Sequence, residues 1–525
     1  MYYYANEAYN ELYFTQNATA QDGTAGPTGY GPASYLLGTL DKYYAEVGDD
    51  GANVTANWYG FYIQDQWKVT KALTVTAGLR YDFVSPPNYH KTISGLDIFT
   101  GQFEVTGPEP GFHSSTVPSG YFYAQANGWE PRFGLAYQAF NKTVVHAAFA
   151  MLDDHNNTLV QEYQDPRLSW PTGNSATLTT LDLGIPTMYA NSLPAATTLY
   201  GPSTTPYASF GADPHNRIPY SMEFNAGVQQ QVTNSITLNL DYVGSQTRHE
   251  FIQPTANTAT IPGPGVVSAR QPYPQYGGPF SFDTNSGTAN YNALQAKLTK
   301  SLSHGLFFLG SYTWSKSLDL ESSAQAGTIE NVYNIRADYG PSDFDFRQLF
   351  VFSSVYQLPV GRGRAFLSGE SNKFVQGIVG NWQVGSIVNL RSGHVFNAAA
   401  GGDIANVRGG SQRANKIGSP YAGREFINGT KVWLNPASFA VPAAYTFGNE
   451  GRNDLVGPRY ADVDFNASKD FPIESTRLQF RAEAFNLFNH TNYGNPTTSV
   501  QSSSFGSITS SVAPRELQFA IKLLF

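Results

Sequence analysis

Links of two very different lengths cut this chain, and they take turns along it. Short links fall at Lys68–Lys71, Asn141–Lys142, Thr233–Ser235, Ser301–Gly305 and Phe471–Ser475. Between them lie long segments rich in Gly, Pro, Asn and Ser: Ser85–Gly128, Asp153–Arg217, His249–Gly287, Asp319–Asp343 and Ser392–Gly457. A medium link, Pro359–Gln376, takes one of the short slots. Soluble sandwiches space their turns at roughly 8–12 residues and do not treat their two rims differently. A barrel in an outer membrane does, with short periplasmic turns on one rim and long extracellular loops on the other. Counted back from Phe525, every short link falls on the rim where the chain ends.

The segments between the links carry a period of two. Leu73, Val75, Ala77, Leu79, Tyr81 and Phe83 alternate with Thr74, Thr76, Gly78, Arg80 and Asp82. Successive side chains of a strand point to opposite faces, so this run has one apolar and one wet face. The pattern returns at Ile236–Tyr242, at Leu478–Ala484 and at Leu517–Phe525, where Leu524 breaks the polar side. Such runs number roughly 15, most of them near the ~9–11 residues of a tilted spanning strand. The fold expected is all-β: an antiparallel transmembrane β-barrel.

Composition agrees with a wall that meets lipid. Charged residues make up only 14% and aromatic residues another 14%, against roughly 25% charge in soluble domains. No apolar run reaches the ~18 residues of a membrane helix. With no cysteine, disulfides and thiolate metal sites are excluded, and the net charge of −8 gives no reason to expect nucleic acid. On the run Trp58–Trp67, Tyr59, Phe61 and Ile63 share a face with Trp67. Tyr59 and Trp67 stand ~26 Å apart along the strand and ~20 Å apart vertically, close to the expected apolar band with its aromatic girdles. Tyr59, Trp67, Tyr81 and Phe83 are the girdle candidates. Asp65 falls on the same face and is expected at the periplasmic rim.

Several blocks resemble the barrel domain of Oar-like TonB-dependent transporters. Tyr59-Gly60-Phe61-Tyr62-Ile63-Gln64-Asp65-Gln66-Trp67-Lys68-Val69-Thr70, with Gly78-Leu79-Arg80-Tyr81-Asp82, is similar to a segment found across TonB-dependent barrels. Tyr291–Gln295, Ser311–Ser317, Ser342–Arg347, Leu358–Arg364 and Phe485–His490 resemble the Oar-like branch, and Arg515–Phe525 resembles its closing strand. The resemblance implies an outer-membrane receptor whose plug is opened through the TonB complex of the inner membrane, and whose long loops capture cargo of unknown class. It implies a 22-stranded barrel, of which residues 1–525 would be the carboxy-terminal portion, roughly 14–16 strands. Plug and amino-terminal domains would lie upstream, in keeping with a start, Met1–Glu7, that lacks the features of a signal peptide. Partners implied are outer-membrane lipid and, through the terminal Phe525 with Phe519, Ile521 and Leu523, the barrel-assembly machinery. The rival reading is a non-transporting surface protein whose loops bind carbohydrate.

Catalytic chemistry is not expected. The chain has no P-loop, HExxH or GxSxG motif, and no cofactor is indicated. Asp153-Asp154-His155 reads better as a solvated loop cluster than as a metal site. Asp49–Asn53 lacks the bidentate Glu of a calcium loop. Arg80, Asp82, Asp241, Arg481 and Glu483 fall on wet strand faces and are the lumen-facing candidates, either bracing the wall as ion pairs or meeting a plug or substrate.

Overall fold

The computed structural model describes residues 10–14, 19, 30–40, 42–47, 55–88, 93–106, 117–118, 121–154, 174–179, 181–182, 185–186, 189–193, 210–323, 329–369, 372–421, 426–427, 430–473 and 476–525. Its main body is a 16-stranded sheet, thirteen strands of which follow one another as an antiparallel meander. These are β1 (Trp58–Lys68), β2 (Leu73–Val84), β3 (Gly128–Phe140), β4 (Thr143–Asp153), β5 (Tyr220–Thr233), β6 (Ile236–Ile252), β7 (Phe280–Ser303), β8 (Leu306–Asp319), β9 (Gln348–Gln357), β10 (Trp382–Arg391), β11 (Tyr460–Ile473), β12 (Thr476–Phe485) and β13 (Glu516–Leu524). Among the described residues, β1 and β13 each pair on one side only. No helix of the described residues is long and apolar enough to cross a membrane.

Each rim keeps its character. Short turns join β1 to β2, β3 to β4, β5 to β6, β7 to β8 and β11 to β12. The medium link between β9 and β10 carries the helix Lys373–Val379, capped by Asn372 Oδ1, which accepts from the amides of Phe374 and Val375. Long segments make every connection on the opposite rim, including 486–515 between β12 and β13, which the sequence pattern did not single out.

Residues directly opposite one another in an antiparallel pair share a face, so register carries the two faces from strand to strand. Starting at Leu79, the apolar face runs through Pro131 and Phe133 on β3 and Phe149 on β4. It continues through Phe224 on β5, Tyr242 on β6 and Leu294 on β7. Trp314 and Tyr312 on β8, Phe350 on β9, Leu390 on β10 and Ala461 on β11 carry it on. It ends with Phe480 and Ala482 opposite Ile521 and Phe519 on β13. Several polar groups on this face bond to one another, as Tyr242 does to Asn292 at 2.7 Å. Ser354 and Ser386 satisfy each other at 3.0 Å. Lys469 donates to the Gly380 carbonyl at 2.5 Å and lies over the rings of Trp382 and Phe471.

Asp65 keeps the face of Tyr59, Phe61 and Trp67 and pairs with Ala77, three residues before β1 ends on the short-turn rim.

Most buried apolar side chains lie in the long connections and in the strand ends that rise among them. Phe396, Leu434, Phe439, Leu455 and Phe505 form one cluster from segments 392–459 and 486–515. Ile93, Tyr121 and Phe122 form another with Ala212, and Leu96 packs with Phe280 and Phe282. Ala259 and Val267 pack against Ala405 and Val407. The long connections therefore fold into a layer with its own small cores, and β7, 24 residues long, rises into it.

The sidedness has a direct consequence. Arginine near the bilayer midplane on a lipid face costs roughly 2–4 kcal/mol, while at a lumen position it mainly alters polarity. Leu79→Arg, opposite Ile63 midway between Tyr59 and Trp67, is expected to block membrane insertion and Thr76→Arg to be tolerated. Single cysteines at 75 and 77 should react with a lipid-soluble label and those at 76 and 78 with a water-soluble one. Equal aqueous labelling of all four would overturn the assignment.

Candidate functional site

Every wet-face residue singled out in the sequence lies on one continuous face. On β2 Arg80 donates to Asp82 at 2.9 Å, two residues along the strand. Register places Arg80 opposite Glu130 on β3, and Glu130 is held by Arg132 at 2.9 Å. Asp82 and Glu130 are buried, while the two arginines are partly exposed. The result is a four-charge cluster near the extracellular end of β1–β3. Gly60 sits beside it on β1, where a Cβ would come within 2.8 Å of Asp82 Oδ1. Glu130 and Arg132 escaped the sequence reading, although their spacing is that of Arg80 and Asp82.

Asp241 on β6 meets His146 on β4, with Nε2 and Oδ1 2.8 Å apart. The strand between them, β5, presents Gly227 at that level, opposite both residues. A Cβ there would overlap Asp241 Oδ1 and stand 2.9 Å from His146 Cε1. The missing side chain is what allows a contact across an intervening strand. Further round the wall Arg481 donates to Glu483 at 2.5 Å, and Arg477 pairs with Asp470 at 3.3 Å.

The four girdle candidates lie on the other face. Tyr59 stacks with Phe83 at 6.5 Å between ring centroids, and Tyr81 tilts against Trp129 at 4.5 Å. Trp67 is exposed opposite Val75 at the other end of β1. Leu517, Phe519, Ile521 and Leu523 share this face on β13, and Phe525 stands beyond it at 97% exposure.

Above the wall, two arginines lock the loop layer together. Arg413 pairs with Glu330 at 2.7 Å and Asp338 at 2.5 Å, and its Nε donates to the Glu450 carbonyl at 3.0 Å. Arg452 pairs with Asp319, the last residue of β8, at 2.5 Å and with Asp343 at 3.3 Å. Asp345 accepts from the Ser317 amide at 2.7 Å, and Ser342 bonds to Ser317. The block Ser342–Arg347 is thus a clasp holding its segment against the end of β8. In Phe485–His490, Asn486 adopts a positive φ of 50°. Its side chain accepts from the His490 amide and donates to the His490 carbonyl, turning the chain sharply off β12.

Burial raises the Glu330 carboxyl above the usual range and pushes Glu450 up to about 7. Glu450 accepts from the Ala398 amide at 3.0 Å. Among the described residues, no group of three or more His, Asp or Glu could hold a metal ion. His155 and Asp49–Asn53 lie outside the described residues.

Removing one partner of a buried pair strands the other charge. Arg413→Ala is expected to loosen the loop layer by about 3–5 kcal/mol, seen as faster hydrogen exchange over 392–421 with the strands unchanged. An acid whose folded pKa is raised binds its proton more tightly in the folded state. The layer should therefore be tightest at low pH and loosen as pH climbs from the ordinary Glu value through about 7. Glu450→Gln should reduce that loosening; an unchanged profile would assign it to another group.

The matched family agrees with this architecture. A family model described as an outer membrane beta barrel domain matches residues 1–518. No curated protein matches the chain. Among solved structures, the ferripyoverdine receptor of the Pseudomonas aeruginosa outer membrane is 12% identical with a TM-score of 0.41, aligning 96% of this chain with 41% of that one. The siderophore receptor PirA of Acinetobacter baumannii is 10% identical with a TM-score of 0.43, over 92% of this chain and 51% of its own. The outer membrane transporter YddB of Escherichia coli is 9% identical with a TM-score of 0.43, over 92% and 55%. The chain thus spans about two-fifths to just over half of these structures. With the matched family model, the two-faced sheet and its unequal rims, the chain belongs to the outer membrane beta barrel domain family, and its place is the cell outer membrane.

Proposed function

We propose that the chain is the carboxy-terminal portion of the barrel of a TonB-dependent transporter of the Oar-like kind, supplying wall strands and cargo-capturing loops. The observation that carries this reading is the pair of edges, open among the described residues, on a wall whose wet face is charged and partly apolar. Backbone groups left unpaired in lipid cost several kcal/mol each, so β1 and β13 call for further strands between them. Strand β1 runs from the extracellular rim toward the short turn at 69–72. An even-stranded barrel then needs an odd number of strands before it, and nine would complete the 22 of the large transporters.

The wet face also bears on the barrel's contents. Leu349, Val351 and Val355 of β9 and Ile387 of β10 lie on it by register, beside Ser353 and Gly385. Ile387 is half exposed. A wall facing only water has no use for such a strip, whereas a plug packed inside would cover it. In this reading the Arg80–Asp82–Glu130–Arg132 cluster braces the wall and meets that plug, and Phe525 with its alternating neighbours is read by the assembly machinery. Cargo would enter by energy coupled through TonB.

Three experiments test the proposal. Residues 1–525 produced alone with a signal peptide should fail to give a heat-resistant monomer in outer membranes; a closed, conducting barrel from this chain would sink the idea. In the parent protein, ferric siderophores, oligosaccharides and peptides supplied as probes should accumulate only while the inner membrane is energised. Accumulation that survives a protonophore would indicate a passive pore. Phe525→Ser should lower folded protein in the membrane severalfold, and unchanged levels would make that residue mere packing.

A further inference from the structure

At the extracellular rim, on the apolar side of the wall, two adjoining cavities of about 590 and 430 Å³ share Arg459 and Ala461. The floor of the second is a cross-strand row of the apolar face: Tyr312, Phe350, Leu390 and Ala461, aligned by the registers of β8 to β11. Phe350 is the third residue of its strand, Leu390 the last but one and Ala461 the second, so the row lies just inside the outer rim. Above it the lining turns cationic. Arg459 stands at the junction of the two, and Lys431 lines the first beside His490, Trp433 and Tyr493. No carboxylate lines either cavity.

Aromatic rings and backbone groups hold this lining in place. Lys431 lies over the Tyr493 ring at 4.1 Å. Arg459, at the junction, is exposed and has no ion-pair partner among the described residues. Trp433 is fixed by its indole N–H on the Val456 carbonyl at 2.9 Å, and Asn492 ties the 490–493 segment to both backbone groups of Ala461.

We propose that this rim site binds the phosphorylated headgroup of an outer-leaflet glycolipid, its acyl chains lying down the Tyr312–Phe350–Leu390–Ala461 row. Arginine and lysine are the groups suited to phosphate oxygens, aromatic side chains sit at the headgroup level, and the row below them faces hydrocarbon. A soluble anion would use the cations and gain nothing from the apolar floor. A neutral lipid would use the floor and leave the cationic lining idle. Only an amphiphile with an anionic head satisfies both parts. The site depends on the outer-membrane position of the wall, and neither needs nor tests the transport reading.

The test is native mass spectrometry of the full-length protein extracted from outer membranes in mild detergent, with bis-phosphorylated lipid A added as probe. Retained lipid A is expected, with occupancy falling about tenfold in the double variant Lys431→Gln/Arg459→Gln, as loss of charge-assisted contacts implies. Lys68→Gln, at the opposite rim, should bind as the unaltered protein does. Both variants should keep the heat-modifiable mobility of the folded protein, since Lys68 and Arg459 are exposed and Lys431 is only half-buried. Equal retention of dephosphorylated lipid A, or undiminished binding in the double variant, would overturn the proposal. Displacement by millimolar inorganic phosphate, with no dependence on acyl chains, would also overturn it and make the site one for free phosphate.

Discussion

In hydrocarbon there is no water to satisfy a peptide group, so each N–H and C=O of the wall must find its partner in a neighbouring strand. The thirteen-strand meander answers that demand, with β1 to β13 each laid antiparallel on the one before. The ladder also fixes register, and register fixes which side chains share a face. A slip of one residue anywhere would turn every later apolar side chain inward. The wet cluster on β2 and β3, the aromatic girdle and the rim site all inherit their positions from this single constraint.

The wet face shows what register can build from side chains distant in the chain. His146 and Asp241 come together because β4, β5 and β6 bring them level, and because Gly227 leaves the space between them empty. Arg80 reaches its neighbourhood with Glu130 in the same way. Pairs of this kind stiffen a wall that has little hydrophobic core of its own, since its apolar side chains point outward to lipid.

Burial instead concentrates in the loop layer, where small apolar clusters and the two buried arginines share the work of holding long connections in place. Arg413 joins segments 320–347 and 392–459, and Arg452 ties the second of these to the end of β8. The described loop residues form a layer beside a charged wet face, held by these contacts. On the outer side, the same loops overhang the lipid and bring Lys431 and Arg459 to the rim.

Period and link length are local properties, and the sequence by itself determined every feature that depends on them alone. The fold class, the two unequal rims, the apolar face of Leu73–Phe83 and the shared wet side of Arg80 with Asp82 and of Arg481 with Glu483 could be read directly, because residues two apart on a strand must share a side. The register that sets Asp65 opposite Ala77 could not, because it depends on how β1 lies against β2. His146, Glu130 and Arg132 were overlooked for the related reason that their meaning lies in the strands beside them. The packing of the long segments had no periodic signal at all, since Gly-, Pro- and Asn-rich chain can fold many ways until distant partners meet. Only the tertiary structure decided that Arg413, Arg452 and Arg459, alike in sequence, should become two buried locks and one open cation facing the membrane.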